Sequence, residues 1–237
     1  MIPILYSATE TNFQNFGIGT LSDCTSCTVK EERNGVYECE FSYPITGQFY
    51  SEISPDRIVK VKANEVSDLQ LFRVYRSTKP INGIVKFYCQ HISYDLNMNI
   101  VEPFSETNIN TVTALNDVLN HCFYSHRFTA TSDKDTVSSL NITTPTSARS
   151  CLGGIRGSIL DNFGGEYEFD NFIIRLYAHR GQDTGVTIRY GKNLTDVNAD
   201  TSIERTYTSV YPYAVDSEEN YHELIQKVIA LQDASNY

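Results

Sequence analysis

Cys24-Thr25-Ser26-Cys27 has the spacing of half a structural zinc site, in which four thiolate or imidazole ligands close a tetrahedron. The other half is missing, because no second Cys-x-x-Cys and no suitably spaced Cys-His pair follows. No metal ligand is assigned. His121 and His126 lack the His-Glu-x-x-His pattern of a metalloprotease and read as ordinary histidines near a helix end. His91 and Asp95 could join a serine in a charge-relay arrangement, yet no Gly-x-Ser-x-Gly elbow marks a nucleophile. The run Gly153-Gly154-Ile155-Arg156-Gly157-Ser158 invites comparison with a phosphate-binding loop. It lacks the loop's lysine and no apolar strand leads into it, so glycine at helix ends is the better account. Glu166, Glu168 and Asp170 alternate with Tyr167 and Phe169, which describes the wet face of a half-buried strand. Glycosidase carboxylates must instead flank a cleft. No catalytic or cofactor-binding residue, and no cofactor, is assigned.

The elements that carry these residues are read from periodicity. Cys27 and Val29 alternate with Thr28 and Lys30; Tyr37, Cys39, Phe41 and Tyr43 alternate with Glu38, Glu40 and Ser42. A two-residue Asn34-Gly35 turn would set one strand's apolar face on the other's polar face. A three-residue loop, Arg33-Asn34-Gly35, pairs Cys27 with Phe41 and Val29 with Cys39. The spacing therefore predicts a type I turn plus a bulge, with Gly35 left-handed. Further strands are expected over 57–63, 71–77 and 84–93, the last two flanking the Lys79–Gly83 turn, and a parity switch predicts a bulge near His91. Ala114, Leu115, Val118, Leu119 and Cys122 stand at helical spacing within 111–122. A strand is predicted over 137–142. Thr144-Pro145 reads as a helix cap, with Gly153-Gly154 as the stop. Ser158 is placed to cap a short helix ending at Gly164-Gly165. Tyr167 to Leu176 reads as a hairpin, Val186 to Tyr190 and Ile203 to Tyr213 as strands. A terminal amphipathic helix is expected to open at Asp216-Ser217-Glu218-Glu219, with Tyr221, Leu224, Ile225, Val228 and Ile229 as its stripe.

The chain of 237 residues carries 19 Lys+Arg against 29 Asp+Glu, a net charge of −10, which argues against a surface built to grip nucleic-acid phosphates. No apolar run approaches the roughly 20 residues of a membrane-spanning helix. The start, Met1-Ile2-Pro3-Ile4-Leu5-Tyr6, does not read as a signal peptide. Six scattered cysteines suit synthesis in a reducing cytoplasm. Sequons at Asn141 and Asn193 then read as polar loop chemistry. The residues alone describe a β-rich α+β protein without a marked active site.

Several collinear stretches do resemble a known family: 1–6, 19–24, 31–41, Pro80-Ile81-Asn82-Gly83, His91-Ile92-Ser93-Tyr94 and Arg149-Ser150-Cys151-Leu152-Gly153-Gly154. The likeness is strongest over 157–161 and 164–170 and continues through 171–181 and 185–194. These resemble the N-terminal region of siphophage minor structural proteins, the prophage tail endopeptidase or tail-associated lysin family. The resemblance implies barrel-like tube domains with an inserted small α/β domain, as in a phage baseplate hub. It divides the chain into a first β-barrel-like tube domain (1–104), an inserted α+β domain (105–183), and return strands of a partial second tube domain with the C-terminal helix (184–237).

It further implies a homotrimer at the virion's tail tip, assembled in the bacterial host cytoplasm. The expected partners are the distal tail protein, the tail tube and the tape measure protein. Such a hub closes the tail tube and anchors host-facing parts. Lytic activity in this family resides in C-terminal modules, so no catalytic residue is carried over and the chain is expected not to be an enzyme. After about Tyr213 the likeness ends, so the resemblance leaves two expectations: the hub portion of a usually longer tail protein, or a compact version of it. The alternative is a cell-wall peptidase acting during infection. A carbohydrate-binding module rests only on the 16 tyrosines.

Overall fold

The computed structural model describes residues 2–181, 183–194, 209–216, 218, 220–223, 229 and 230. Strands β1 (Ile4–Tyr6), β2 (Gly19–Thr20), β3 (Ser26–Glu31) and β4 (Tyr37–Pro44) are followed by β5 (Ile58–Lys62), β6 (Leu69–Ser77) and β7 (Ile84–His91). They form one sheet in the order β2-β1-β5-β6-β7-β4-β3, with every neighbour antiparallel. The sheet curls as a half-barrel, and β2 and β3 are its edges.

The expected register is present: Cys27 pairs with Phe41 and Val29 with Cys39. Burial sets it, since Cys39, Phe41 and Tyr43 join Val59, Val61, Phe72, Val85 and Phe87 in the core on one face. Each fully buried side chain of this size contributes roughly 1.5–3 kcal/mol. The turn itself differs from expectation. Asn34, not Gly35, is left-handed (φ 53°), while the Gly35 N–H donates to the Glu32 carbonyl (3.0 Å). Positive φ at the third turn residue excludes type I, and asparagine tolerates that conformation because its side chain bonds nearby backbone. The Asn82-Gly83 turn has φ 51° and 75°, the type I′ signature that joins β6 to β7.

The expected bulge near His91 is absent. The register shift lies in β6, between Val74 and Arg76. The parity change after Cys89 arises because β7 ends at His91, whose ring Nδ1 accepts the Ser93 N–H and caps a 3₁₀ helix, Ile92–Met98.

A second layer follows: β8 (Ile100–Val101), β9 (Phe104–Asn110), α1 (Thr111–Asn120), β10 (Thr129–Ser132), β11 (Val137–Ile142), β12 (Thr146–Ser147), α2 (Ala148–Leu152), α3 (Ile159–Phe163), β13 (Glu166–Asp170) and β14 (Ile173–Tyr177). Asn110 caps α1 by accepting the Thr113 N–H (2.9 Å). Leu115, Val118, Leu140, Leu152, Ile159 and Ile174 form its core. The cap of α2 is Ser147 rather than Thr144. Thr146 and Ser147 are held extended by pairing with β8, so helical geometry begins only at Ala148. Ser158 caps α3, and Gly164-Gly165 ends it, as expected. A Cβ on Gly165 (φ 109°) would lie 2.7 Å from the Tyr177 carbonyl oxygen, so only glycine fits there. β13 pairs antiparallel with β14, and β14 parallel with β10. Both layers belong to one compact unit, Met1–Gln182.

The second unit is Asp183–Tyr237. Val186 to Tyr190 does not form the expected strand. Val186, Ile188 and Tyr190 alternate, but among the described residues only Tyr190 makes a bridge, to Leu194, and all three side chains are exposed. Alternation supplies an apolar face, but a ladder needs a neighbouring strand, and none of the described residues provides one. β15 (Ser209–Val210) pairs with β18 (Ile229–Ala230), and β16 (Tyr213–Val215) with β17 (Tyr221–Glu223). The expected helix start at Asp216 is thus a hairpin loop. The Asp216 carboxylate accepts the Glu218 and Asn220 N–H groups (both 2.9 Å), an Asx turn that competes with helix capping. Tyr221 and Ile229 of the expected stripe sit in strands; Leu224, Ile225 and Val228 lie outside the described residues, as does most of 203–213.

Candidate functional site

The polar groups of the first unit converge where the sheet meets the second layer. Strand β6 outlasts β7: its last partner there is His91, opposite Phe72. Among the described residues, Leu69, Gln70 and Leu71 therefore have no strand on that side. Asn171, left-handed at the β13–β14 turn (φ 52°), fills the vacancy with its side chain. Its Oδ1 accepts the Leu71 N–H (2.9 Å) and its Nδ2 donates to the Leu69 carbonyl (3.1 Å). Gln70, fully buried, completes the junction. Its Oε1 accepts the Asn171 N–H (2.9 Å), and its Nε2 donates to the Asp170 carboxylate (2.9 Å).

His91 lies beneath Gln70, fully buried and stacked on Tyr37 (centroids 4.3 Å apart). Because Nδ1 accepts the Ser93 N–H (3.2 Å), the proton is on Nε2, which donates to Gln70 Oε1 (3.2 Å). Burial, with the Arg149 charge second, pushes its pKa down to about 3. Arg149 donates to Ser93 Oγ (3.2 Å) and lies over the Phe169 ring (4.0 Å) and the Tyr94 ring (4.8 Å).

On the outer edge a second asparagine acts in the same way. Asn34 donates to the Gly165 carbonyl (2.9 Å) and accepts the Tyr167 N–H (2.8 Å), covering the free edge of β13. Arg33 pairs with Glu166 (2.8 Å) and Arg180 with Glu31 (2.7 Å) beside it.

These bonds decide the sequence candidates. Asp95 holds Arg73 through both oxygens (2.8 and 2.7 Å), whereas the His91 ring bonds to Ser93 and Gln70. The hydroxyl that does reach His91 is Ser93 (3.0 Å), but both are fully buried and Arg149 donates to the same oxygen. A buried neutral ring with a committed hydroxyl orders a joint; it offers a substrate no approach. Glu166, Glu168 and Asp170 are all engaged, Glu168 and Asp170 by Arg175 (3.5 and 2.9 Å). Burial pushes the Asp170 carboxyl up, but hydrogen bonds from Gln70 and Arg175 outweigh it and hold the pKa low.

His121 donates to the Asp117 carbonyl (2.8 Å) and His126 to the Leu119 carbonyl (2.9 Å), so both finish the C-terminal end of α1. Cys24 donates to the Ser26 carbonyl (3.1 Å), and Cys27 lies 3.8 Å, sulfur to sulfur, from Cys39. Among the described residues no three His, Cys, Asp or Glu are placed to hold a metal ion, and no helix is long and apolar enough to cross a membrane. Gly153 and Gly154 line a cavity beneath Arg149.

Sequence reasoning missed Asn34, Gln70, Arg149 and Asn171. A glutamine between Asp68-Leu69 and Leu71-Phe72, in a strand otherwise apolar there, was the available signal: a polar side chain in such a run needs a buried partner.

The chain resembles in fold the prophage tail protein gp18 from Listeria monocytogenes EGD-e, known from a crystal structure. The TM-score is 0.60 at 16% identity, over 100% of this chain and 69% of that one. At that identity the likeness is one of fold. No family model matches the chain, and neither does any curated protein.

Proposed function

We propose that this chain is a structural component of a phage or prophage tail. In the finer form of that reading it is a tail-tip hub that closes the tube and anchors host-facing parts. The observation that carries it is the likeness to a prophage tail protein over the whole length of the chain. The collinear stretches from Met1 to Leu194 support the same reading. So does the use of candidate acids, histidines and serines in internal bonds rather than at an open cleft. Assembly as a homotrimer with the distal tail protein, tail tube and tape measure protein belongs to this proposal, as does location in the virion. Absence of peptidoglycan hydrolysis by this chain belongs to it too.

Immunogold electron microscopy of particles from an induced lysate tests the reading. Label at one end of the tail is expected; particles without this chain would overturn it. Zymography of the purified chain addresses the enzyme alternative: no clearing is expected, and clearing lost on one Cys, His or acidic substitution would replace a structural role with a catalytic one. Light scattering of the purified chain with the distal tail protein is expected to give three copies per assembly.

A further inference from the structure

Five arginines among the described residues are half-buried: Arg57, Arg73, Arg149, Arg175 and Arg180. Four have a carboxylate oxygen within reach, at 3.5, 2.7, 2.9 and 2.7 Å respectively. Arg149 has none among the described residues. Its partners are all neutral: the Ser93 hydroxyl, the Tyr94 hydroxyl and the faces of the Tyr94 and Phe169 rings. Withdrawing a guanidinium from water without a counter-charge is costly, and ring faces and neutral hydroxyls offset only part of that cost. Burial lowers its pKa from the ordinary arginine value, and the contacts with Tyr94 and Tyr167 offset that only in part.

Arg149 also borders a cavity of about 210 Å³, with Asn34, Tyr94, Gly153, Gly154 and Phe169 on its walls. The guanidinium presents a planar fork of donors suited to two oxygens of one anion. Ser93 and Tyr94 engage part of this fork and bring no negative charge to it. At Gly154 (φ 101°) the chain bends with no side chain filling the space, and its N–H donates to no described residue. The volume suits one small group rather than a nucleotide or an oligosaccharide.

We propose that this cavity binds a single small oxyanion, of phosphate or carboxylate size, held by the Arg149 guanidinium. The glycine run that lacked a phosphate loop's lysine thus contributes a wall, and the cation comes from one turn upstream on α2. This inference stands apart from the tail assignment, since it rests on the charge balance of one cavity.

The test is titration of the intact chain with inorganic phosphate and, separately, with acetate, at constant ionic strength set by chloride. The Arg149 Nε–H resonance is expected to move saturably with at least one of the two anions, while that of exposed Arg156 does not. A response to phosphate or to acetate identifies which oxyanion chemistry the cavity takes. Arg149→Lys keeps the charge and loses the fork, and at least a tenfold weaker affinity is expected. No saturable shift in the wild-type resonance with either anion overturns the proposal, whether or not the variant folds. Equal affinity in wild type and Arg149→Lys overturns it too.

Discussion

Asn34 and Asn171 stand at the tips of two hairpins, one in the sheet and one in the second layer, with φ 53° and 52°. Each extends its carboxamide across the joint and bonds the backbone of a strand in the other layer as a missing strand would. Their surroundings differ. Asn34 is exposed, and water competes for the groups it satisfies. Asn171 is half-buried and tied to Gln70, which in turn holds His91 and Asp170. The same amide chemistry should therefore be worth less at the rim than at the centre, because an unsatisfied group is expensive only where water cannot reach it.

The sharpest way to break this contrast is Gln70→Leu. It strands the His91 Nε2–H and the Asn171 N–H at once, and a loss of about 3 kcal/mol is expected in chemical denaturation. A loss no larger than that of a surface substitution would show the buried network to be dispensable.

The His91 ring offers a second test through pH. In the unfolded chain it takes a proton near its ordinary pKa, about 6.5, while the buried ring refuses one down to about 3. Unfolding therefore binds a proton in this window, and stability falls as pH drops through it. The excess slope over His91→Gln should approach about 1.4 kcal/mol per pH unit below pH 6.5. Parallel stability–pH curves for the two proteins would mean that the ring is not shielded as described.

Asn171→Ala should cost about 2 kcal/mol and Asn34→Ala about 1 kcal/mol, both losing the amide and the tolerance of positive φ. Equal losses would refute burial as the difference between them. The smallest effect is expected from Gly35→Val, under about 0.5 kcal/mol in thermal unfolding. Gly35 is not left-handed, and an added Cβ would meet the Glu32 Cβ at 3.1 Å, a contact that slight movement relieves.

Where the chain's periodicity had a burial consequence, it was legible. The pairing of Cys27 with Phe41 followed from which faces could be apolar together, and the same logic found β11, α1 and the β13–β14 hairpin. It failed where a partner, rather than a pattern, was decisive. Val186, Ile188 and Tyr190 alternate but have no neighbouring strand among the described residues. Asp216 has the look of a helix cap, yet its carboxylate closes an Asx turn because Tyr213–Val215 and Tyr221–Glu223 pair across it. The polar joint was invisible for the same reason. Gln70 and Asn171 are one hundred and one positions apart, and neither residue carries a local sign of the other.

The amino-acid sequence by itself determined the acidic charge balance, the β-rich class, the register of the first hairpin and the capping of α3, each a consequence of short-range sterics or of one face seeking burial. Tertiary structure decided which asparagine would turn left-handed, why His91 is neutral and where Arg149 lies without a carboxylate partner among the described residues. Those outcomes depend on groups brought together from distant parts of the chain, where burial removes water and makes every unpaired donor and charge costly.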